Sequence, residues 1–227
     1  MKNIIFITLC IGVLFFSSCA SNLTRGINYP KMYEEKPTSI LIMPPVNKTV
    51  SAEAKEYFYT SLALPLAEKG YYVVSPFLAM EMFKSESAYD SEMYIDGNLS
   101  MFKNILGADA ALFTIINKWS KYTIGNSISV EIEYILKSTS TNEVIFNRKG
   151  NLTVDTSINS GAVGGLGLLV NMAASMINTA LTDKVIAARR CNNYVLQDIP
   201  QGKYSPLFEK DMNTPAGKKE LQGTVKQ

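Results

Sequence analysis

The chain has 227 residues, 22 Lys plus Arg against 20 Asp plus Glu, a net charge of +2, three cysteines and no histidine. Without histidine there is no Ser-His-Asp or Cys-His machinery and no His-ligated metal, and a near-zero charge supplies no broad basic field for nucleic acid. At 47% hydrophobic and 19% charged, the chain is not a disordered tail. Lys2 is the only charge before Arg25, and Ile4 to Phe16 is almost wholly apolar. The small residues Ser17 and Ser18 follow, then Cys19. A positive start, an apolar stretch of about 7–15 residues and small residues at its end make a secretory signal. The apolar run falls short of the roughly 20 residues a transmembrane helix needs.

Phe16-Ser17-Ser18-Cys19 resembles a bacterial lipobox, with Phe16 where Leu is usual. The resemblance implies cleavage before Cys19 and acylation of its thiol. Two or more acyl chains hold a protein stably on a bilayer where one is marginal. Ala20 and Ser21 follow the cysteine, with no Asp, which by the enteric-type sorting rule favours the outer membrane, periplasmic face. Residues 1–18 are then a signal peptide and 19–38 a lipidated tether. Cys10 leaves with the signal and Cys19 carries lipid, so Cys191 has no intramolecular partner; its place in an apolar helical pattern predicts burial.

The domain proper is expected over 39–197. Ser39 to Met43 is a short buried strand stopped by Pro44-Pro45. Residues 51–68 read as a helix with Ser51 as N-cap and Pro65 kinking its last turns, ended by Gly70. Tyr71 to Val74 is a second strand, Pro76 to about Lys84 a helix, 85–97 a polar loop, and Leu99 to Leu106 a helix closed by Gly107. Three strands follow. Ala110 to Trp119 begins apolar on both faces, which suits a central strand. Ile128 to Leu136 alternates against Ser129, Glu131, Glu133 and Lys137, which predicts one wet face. Glu143 to Val154 completes the meander, with turns at Gly125-Asn126 and Thr139–Asn142. The expected fold is α/β (α+β): a mixed sheet of about five strands with helices packed on it. Residues 198–227 read as a polar tail whose last 15 or so residues fray.

Residues 156–182 carry no charge, with Gly161, Gly164, Gly165 and Gly167 near their start and a helix from Leu166 to about Arg190. Gly165-x-Gly167 lacks a third glycine at Val170, so no dinucleotide fingerprint forms, and no P-loop lysine follows. The helix packs on its own domain, meets another subunit or enters the membrane. Asn171, Met172, Ser175, Met176 and Asn178 are the candidate interface, since charge depletion marks interface cores and Asn and Ser are costly against lipid. Glu131 and Glu133 share a strand face about 6.7 Å apart, a spacing compatible with paired-carboxylate chemistry, but at polar positions they read as solvated charges. The tyrosines read as core with wet hydroxyls rather than a sugar-stacking surface. No metal site and no cofactor are expected, and no catalytic residues are assigned.

Three segments in order resemble a known family. They are Leu41-Ile42-Met43-Pro44-Pro45-Val46-Asn47, Pro65-Leu66-Ala67-Glu68-Lys69-Gly70-Tyr71-Tyr72-Val73 and Gly107-Ala108-Asp109-Ala110-Ala111-Leu112. With the glycine-rich loop and long helix they resemble the GNA-type outer-membrane lipoproteins over roughly residues 39–195. The resemblance implies a fold like the N-terminal domain of TolB and partnership with a CsgG-like secretion lipoprotein. The expectation is a non-enzymatic accessory or scaffold subunit of an envelope assembly, with a homodimer as one arrangement, or else a peptidoglycan- or lipid-binding module.

Overall fold

The computed structural model describes residues 23–85, 91–122, 127–156 and 179–226. Folded structure starts inside the expected tether. Two short helices, α1 (Arg25–Asn28) and α2 (Pro30–Glu35), come before the first strand. Tyr29, Met32 and Tyr33 are buried here, and Pro30 occupies the first turn of α2, where its missing N–H costs nothing. The tether expected over 19–38 therefore gives way to fold by Thr24. Strand β1 (Ser39–Ile42) is buried at every position. The Pro44-Pro45 pair interrupts it, and β2 (Val46–Asn47) resumes alongside the same neighbouring strand.

The helix expected over 51–68 is two helices, α3 (Ala54–Ser61) and α4 (Ala63–Glu68), parted at Leu62. Pro65 has no N–H for the carbonyl of Ser61, so the helical ladder is interrupted there. Ser51 is not the N-cap. Its N–H donates to the Thr49 hydroxyl (3.2 Å) and its carbonyl accepts from the Asn47 amide (2.7 Å), which places it in a turn organised by Asn47. Strand β3 (Tyr72–Val73) and helix α5 (Pro76–Ser85) fall where the sequence puts them. The polar stretch after them contains one helical turn, α6 (Glu92–Ile95), before α7 (Ser100–Leu106). Gly107 closes α7 in the left-handed region at φ +64°, where a side chain would be strained. The long meander is β4 (Ala110–Lys121), β5 (Ser127–Ser138) and β6 (Val144–Asp155), and Asn142 takes the positive φ of its second turn. Helix α8 (Thr179–Leu196) runs six residues beyond its expected end at Arg190, and strand β7 (Glu220–Val225) closes the described chain.

Among the described residues the sheet has seven strands, ordered β3-β1-β4-β5-β6-β7, with β2 also on β4. Strands β1 and β3, and β1 and β4, pair in parallel; β4, β5 and β6 are antiparallel; β7 lies parallel to β6. The mixed α/β expectation holds, and β2 and β7 are the strands it lacked. The fraying expected at the end does not occur over 220–225, because Val225 and the half-buried Leu221 pack on the core.

The sheet is covered unequally. On one face Ile40, Ile42, Leu112, Ile132, Tyr134, Phe146 and Leu152 join residues of α2, α3, α4 and α8 in the main core. On the other, Leu41, Met43, Ala111 and Phe113 are capped by Ala79, Phe83, Leu99 and Phe102 of the α5–α7 segment. Among the described residues that cap reaches the β1–β4 side and the end of β5. Lys137, expected on the wet face, is buried beneath it with its ammonium on the Ile95 carbonyl. Farther along, Glu131, Glu133, Asn147, Lys149 and Asn151 form a polar face that continues through Glu220 and Gln222 of β7.

Candidate functional site

Cys19 and the candidate interface positions Asn171, Met172, Ser175, Met176 and Asn178 lie outside the described residues, as does the turn at Gly125-Asn126. The later part of α8 packs on its own domain: Ala187, Ala188, Cys191, Val195 and Leu196 all belong to the main core. Arg190 does not sit at the helix end; its guanidinium bonds the carbonyl of Asp155. Among the described residues no helix is long and apolar enough to cross a membrane.

Where the chain emerges from its first residues, a buried ionic cluster fastens it. Arg25 donates from Nη1 to Asp211 Oδ2 at 2.9 Å and from Nε to Asp198 Oδ1 at 3.4 Å. Tyr29 donates its hydroxyl to Asp198 (2.9 Å) and Tyr33 to Asp211 (3.1 Å). The N–H groups of Gly217 (3.0 Å) and Gln201 (2.9 Å) complete the two carboxylates. Arg148 enters from β6. It is 1% exposed, donates to the carbonyls of Val195 (2.8 Å) and Lys218 (3.1 Å), and lies 3.9 Å from Asp198. Two cations face two anions, and hydrogen bonds satisfy both carboxylates, the condition for burying charge at tolerable cost. Burial first, then the adjacent carboxylate, raises both Tyr29 and Tyr33 well above the usual phenol range.

This cluster joins four parts of the chain that are distant in sequence: α1–α2, β6, the end of α8 and the segment 197–217. The hydroxyl of Tyr71 on the Pro200 carbonyl (2.7 Å) and the ammonium of Lys69 on the Gln197 carbonyl (2.7 Å) hold the same segment from the α4–β3 side. Two glycines permit the close approach. A Cβ at Gly70, whose φ is +84°, would meet the Ser205 nitrogen at 2.3 Å, and one at Gly202 would meet the Gly70 carbonyl oxygen at 2.5 Å. The sequence reading missed Arg25, Arg148, Asp198 and Asp211. One signal was available: Arg148 falls in the inward register of β6 with Phe146 and Leu152, and an inward arginine requires a buried acid.

The motif residues have structural explanations. The carboxylate of Asp109 accepts from the N–H groups of Thr38 (2.9 Å) and Ser39 (3.0 Å) and from the Ser39 hydroxyl (3.1 Å), and it pairs with Lys103. It thereby locks the starts of β1 and β4 together. Burial opposes its charge, but Lys103 and the backbone donors outweigh burial and hold its pKa below the ordinary Asp value. Glu131 pairs with Lys149 at 3.0 Å, and Glu133 accepts from the Asn147 amide at 2.8 Å. The two glutamates are half-buried and share one polar sheet face. Cys191 is fully buried, and burial pushes its thiol up to about 12. Beside it, Tyr134 donates to Asn192, whose amide donates to the Phe58 carbonyl (3.0 Å) and the Ser61 hydroxyl (2.8 Å), tying α8 to α3.

Fold and cluster together define an α/β domain pinned at its N-terminal end a few residues after a cysteine. The family model described as "Putative lipoprotein GNA1162-like" matches residues 27–202, and the chain belongs to that family of lipoproteins. A curated relative, "Putative lipoprotein NMB1124/NMB1162" of Neisseria meningitidis serogroup B, is 27% identical over 175 residues, covering 76% of this chain and 80% of its own. The crystal structure of lipoprotein GNA1162 from Neisseria meningitidis matches with a TM-score of 0.47 and 24% identity, over 62% of this chain and 98% of that one. The LpoB C-terminal domain from Escherichia coli matches with a TM-score of 0.34 and 20% identity, over 55% of this chain and 94% of that one.

Proposed function

We propose that this lipoprotein is a non-enzymatic accessory subunit of an envelope assembly. It is held by acyl chains at Cys19 to the periplasmic face of the outer membrane and docks other envelope proteins through the polar sheet face of β5–β7. The observation that carries the reading is the buried cluster of Arg25, Arg148, Asp198 and Asp211. A flexible tether would let the domain wander. Here the chain is held by the fold from Thr24 onward, so an anchor at Cys19 keeps the domain within a short reach of its membrane. The open face supplies paired charges, Glu131 with Lys149, in a broad polar surface suited to a protein partner.

The test is crosslinking of the native protein in its own membrane, wild type beside a Glu131→Lys, Lys149→Glu variant. The two side chains are accessible, so the variant folds normally by circular dichroism. The proposal expects discrete envelope proteins crosslinked to the wild type and lost from the variant. Unchanged crosslinks in the variant contradict docking through this face. Retention on purified sacculi with no crosslinked protein favours a wall-binding module instead.

A further inference from the structure

We propose that the surface formed by α1 and residues 212–219 is a membrane-contact face that rests on an anionic lipid bilayer. The inference builds on the lipid-anchor reading above and adds an orientation to it. Four residues separate Cys19 from Thr24, and the five Cα–Cα steps between them span at most about 18 Å when fully extended. The chain is then fixed. Thr24 bridges to Pro215, the Ala216 N–H donates to the Leu23 carbonyl (2.7 Å), and the N–H groups of Arg25 and Gly26 donate to the carbonyls of Thr214 and Met212 (both 2.9 Å). Whatever surrounds this short ladder is held within reach of the headgroups.

Its surroundings have the chemistry of an interfacial contact. Leu23 is 51% exposed, Ile27 64% and Met212 42%. The Met212 side chain lies over Gly26, where an added Cβ would meet its Cγ at 2.5 Å, and Gly26 immediately precedes the exposed Ile27. The Asn28 amide donates to the Gly217 carbonyl (3.2 Å), and the exposed Lys218 and Lys219 follow in sequence, the Lys219 ammonium 5.8 Å above the ring of Tyr29 at the end of α1. The acids of the preceding stretch are occupied: Asp211 with Arg25 and Glu209 with Lys36. Glu220 aligns with Lys149 on the sheet. Exposed apolar side chains flanked by lysines match an acyl boundary beneath anionic headgroups.

The full-length lipidated protein, carrying a fluorophore at Ile27→Cys or at Ser120→Cys, is reconstituted into vesicles of phosphatidylethanolamine and phosphatidylglycerol that contain brominated lipid. Cys191 is buried and takes no label in the folded protein. Ser120 aligns through Ser129 with Thr153, about 23 Å along β6 from the Phe146 against which Tyr29 packs. The expected result is flotation of both forms, with at least about twofold stronger quenching at position 27 than at 120, as burial of an apolar contact requires. Charge reversal by Lys218→Glu and Lys219→Glu lowers the quenching at position 27. Flotation with equal quenching at both positions overturns the contact face while leaving the anchor intact, and undiminished quenching after charge reversal contradicts an anionic partner. Failure to float overturns the anchor reading, and the orientation with it.

Discussion

Arg148 is the side chain on which the lower half of the molecule depends. At 1% exposure its guanidinium lies 3.9 Å from Asp198 and donates hydrogen bonds to two backbone carbonyls. Asp198→Ala leaves Arg148 and Arg25 facing one carboxylate fewer, and breaking a buried pair from one side costs about 3–5 kcal/mol. Urea denaturation of the variant measures this directly; a change below about 1 kcal/mol, the scale of an exposed pair, contradicts the buried assignment. At the same scale, Cys191 is protonated and enclosed, its thiol raised to about 12. Iodoacetamide at mildly alkaline pH therefore leaves it unmodified in the folded protein and alkylates it once denaturant is added, which mass analysis resolves. Alkylation of folded protein at the denatured rate contradicts that burial.

Among the elements, those with strong local punctuation were readable from sequence and those stabilised by distant parts of the chain were not. Pro44-Pro45, Gly70, Gly107 and the alternation from Ile128 to Leu136 announced β1, the end of α4, the end of α7 and β5. Strand β7 carried no such signal. Glu220 to Val225 is polar on one side and holds only Leu221 and Val225 on the other; it is a strand because β6 offers it a parallel edge. Likewise residues 25–35 looked like a tether because the burial of Tyr29 and Tyr33 depends on Asp198 and Asp211, more than 160 residues away in the chain. The cysteine motif lies outside the described residues, and the ionic cluster was not legible without the register of β6. Deleting residues from Glu220 onward exposes Leu152 and Val154 at a new edge. We expect a lower thermal midpoint and new binding of a hydrophobic dye, whereas a frayed tail could be removed without either effect.

For the whole molecule, pH reports how the parts are joined. Asp109 has a pKa lowered in the folded state, so its contribution is present above the ordinary Asp value of about 3.9 and is lost as the pH falls through the depressed folded value. Tyr29, Tyr33, Tyr71 and Tyr134 are raised in the folded state. Their contribution is complete below the ordinary phenol value of about 10 and is lost as the pH rises beyond it. Stability against urea is thus expected to fall at both extremes, with Asp109→Asn flattening the acid limb. Phenolate absorbance of these four should appear only together with unfolding. Phenolate formation by all the tyrosines near pH 10 in folded protein contradicts the buried cluster.

The same cluster fixes the chain at Arg25, six positions after Cys19, the residue proposed above to carry the acyl chains. Mass spectrometry of the N-terminal peptide of the protein purified from its own membranes tests the central claim most directly. The account predicts a peptide that begins at Cys19 and carries diacylglyceryl and acyl mass, absent when Cys19 is replaced by Ala. An unmodified Cys19 in protein that fractionates free of membranes would contradict it.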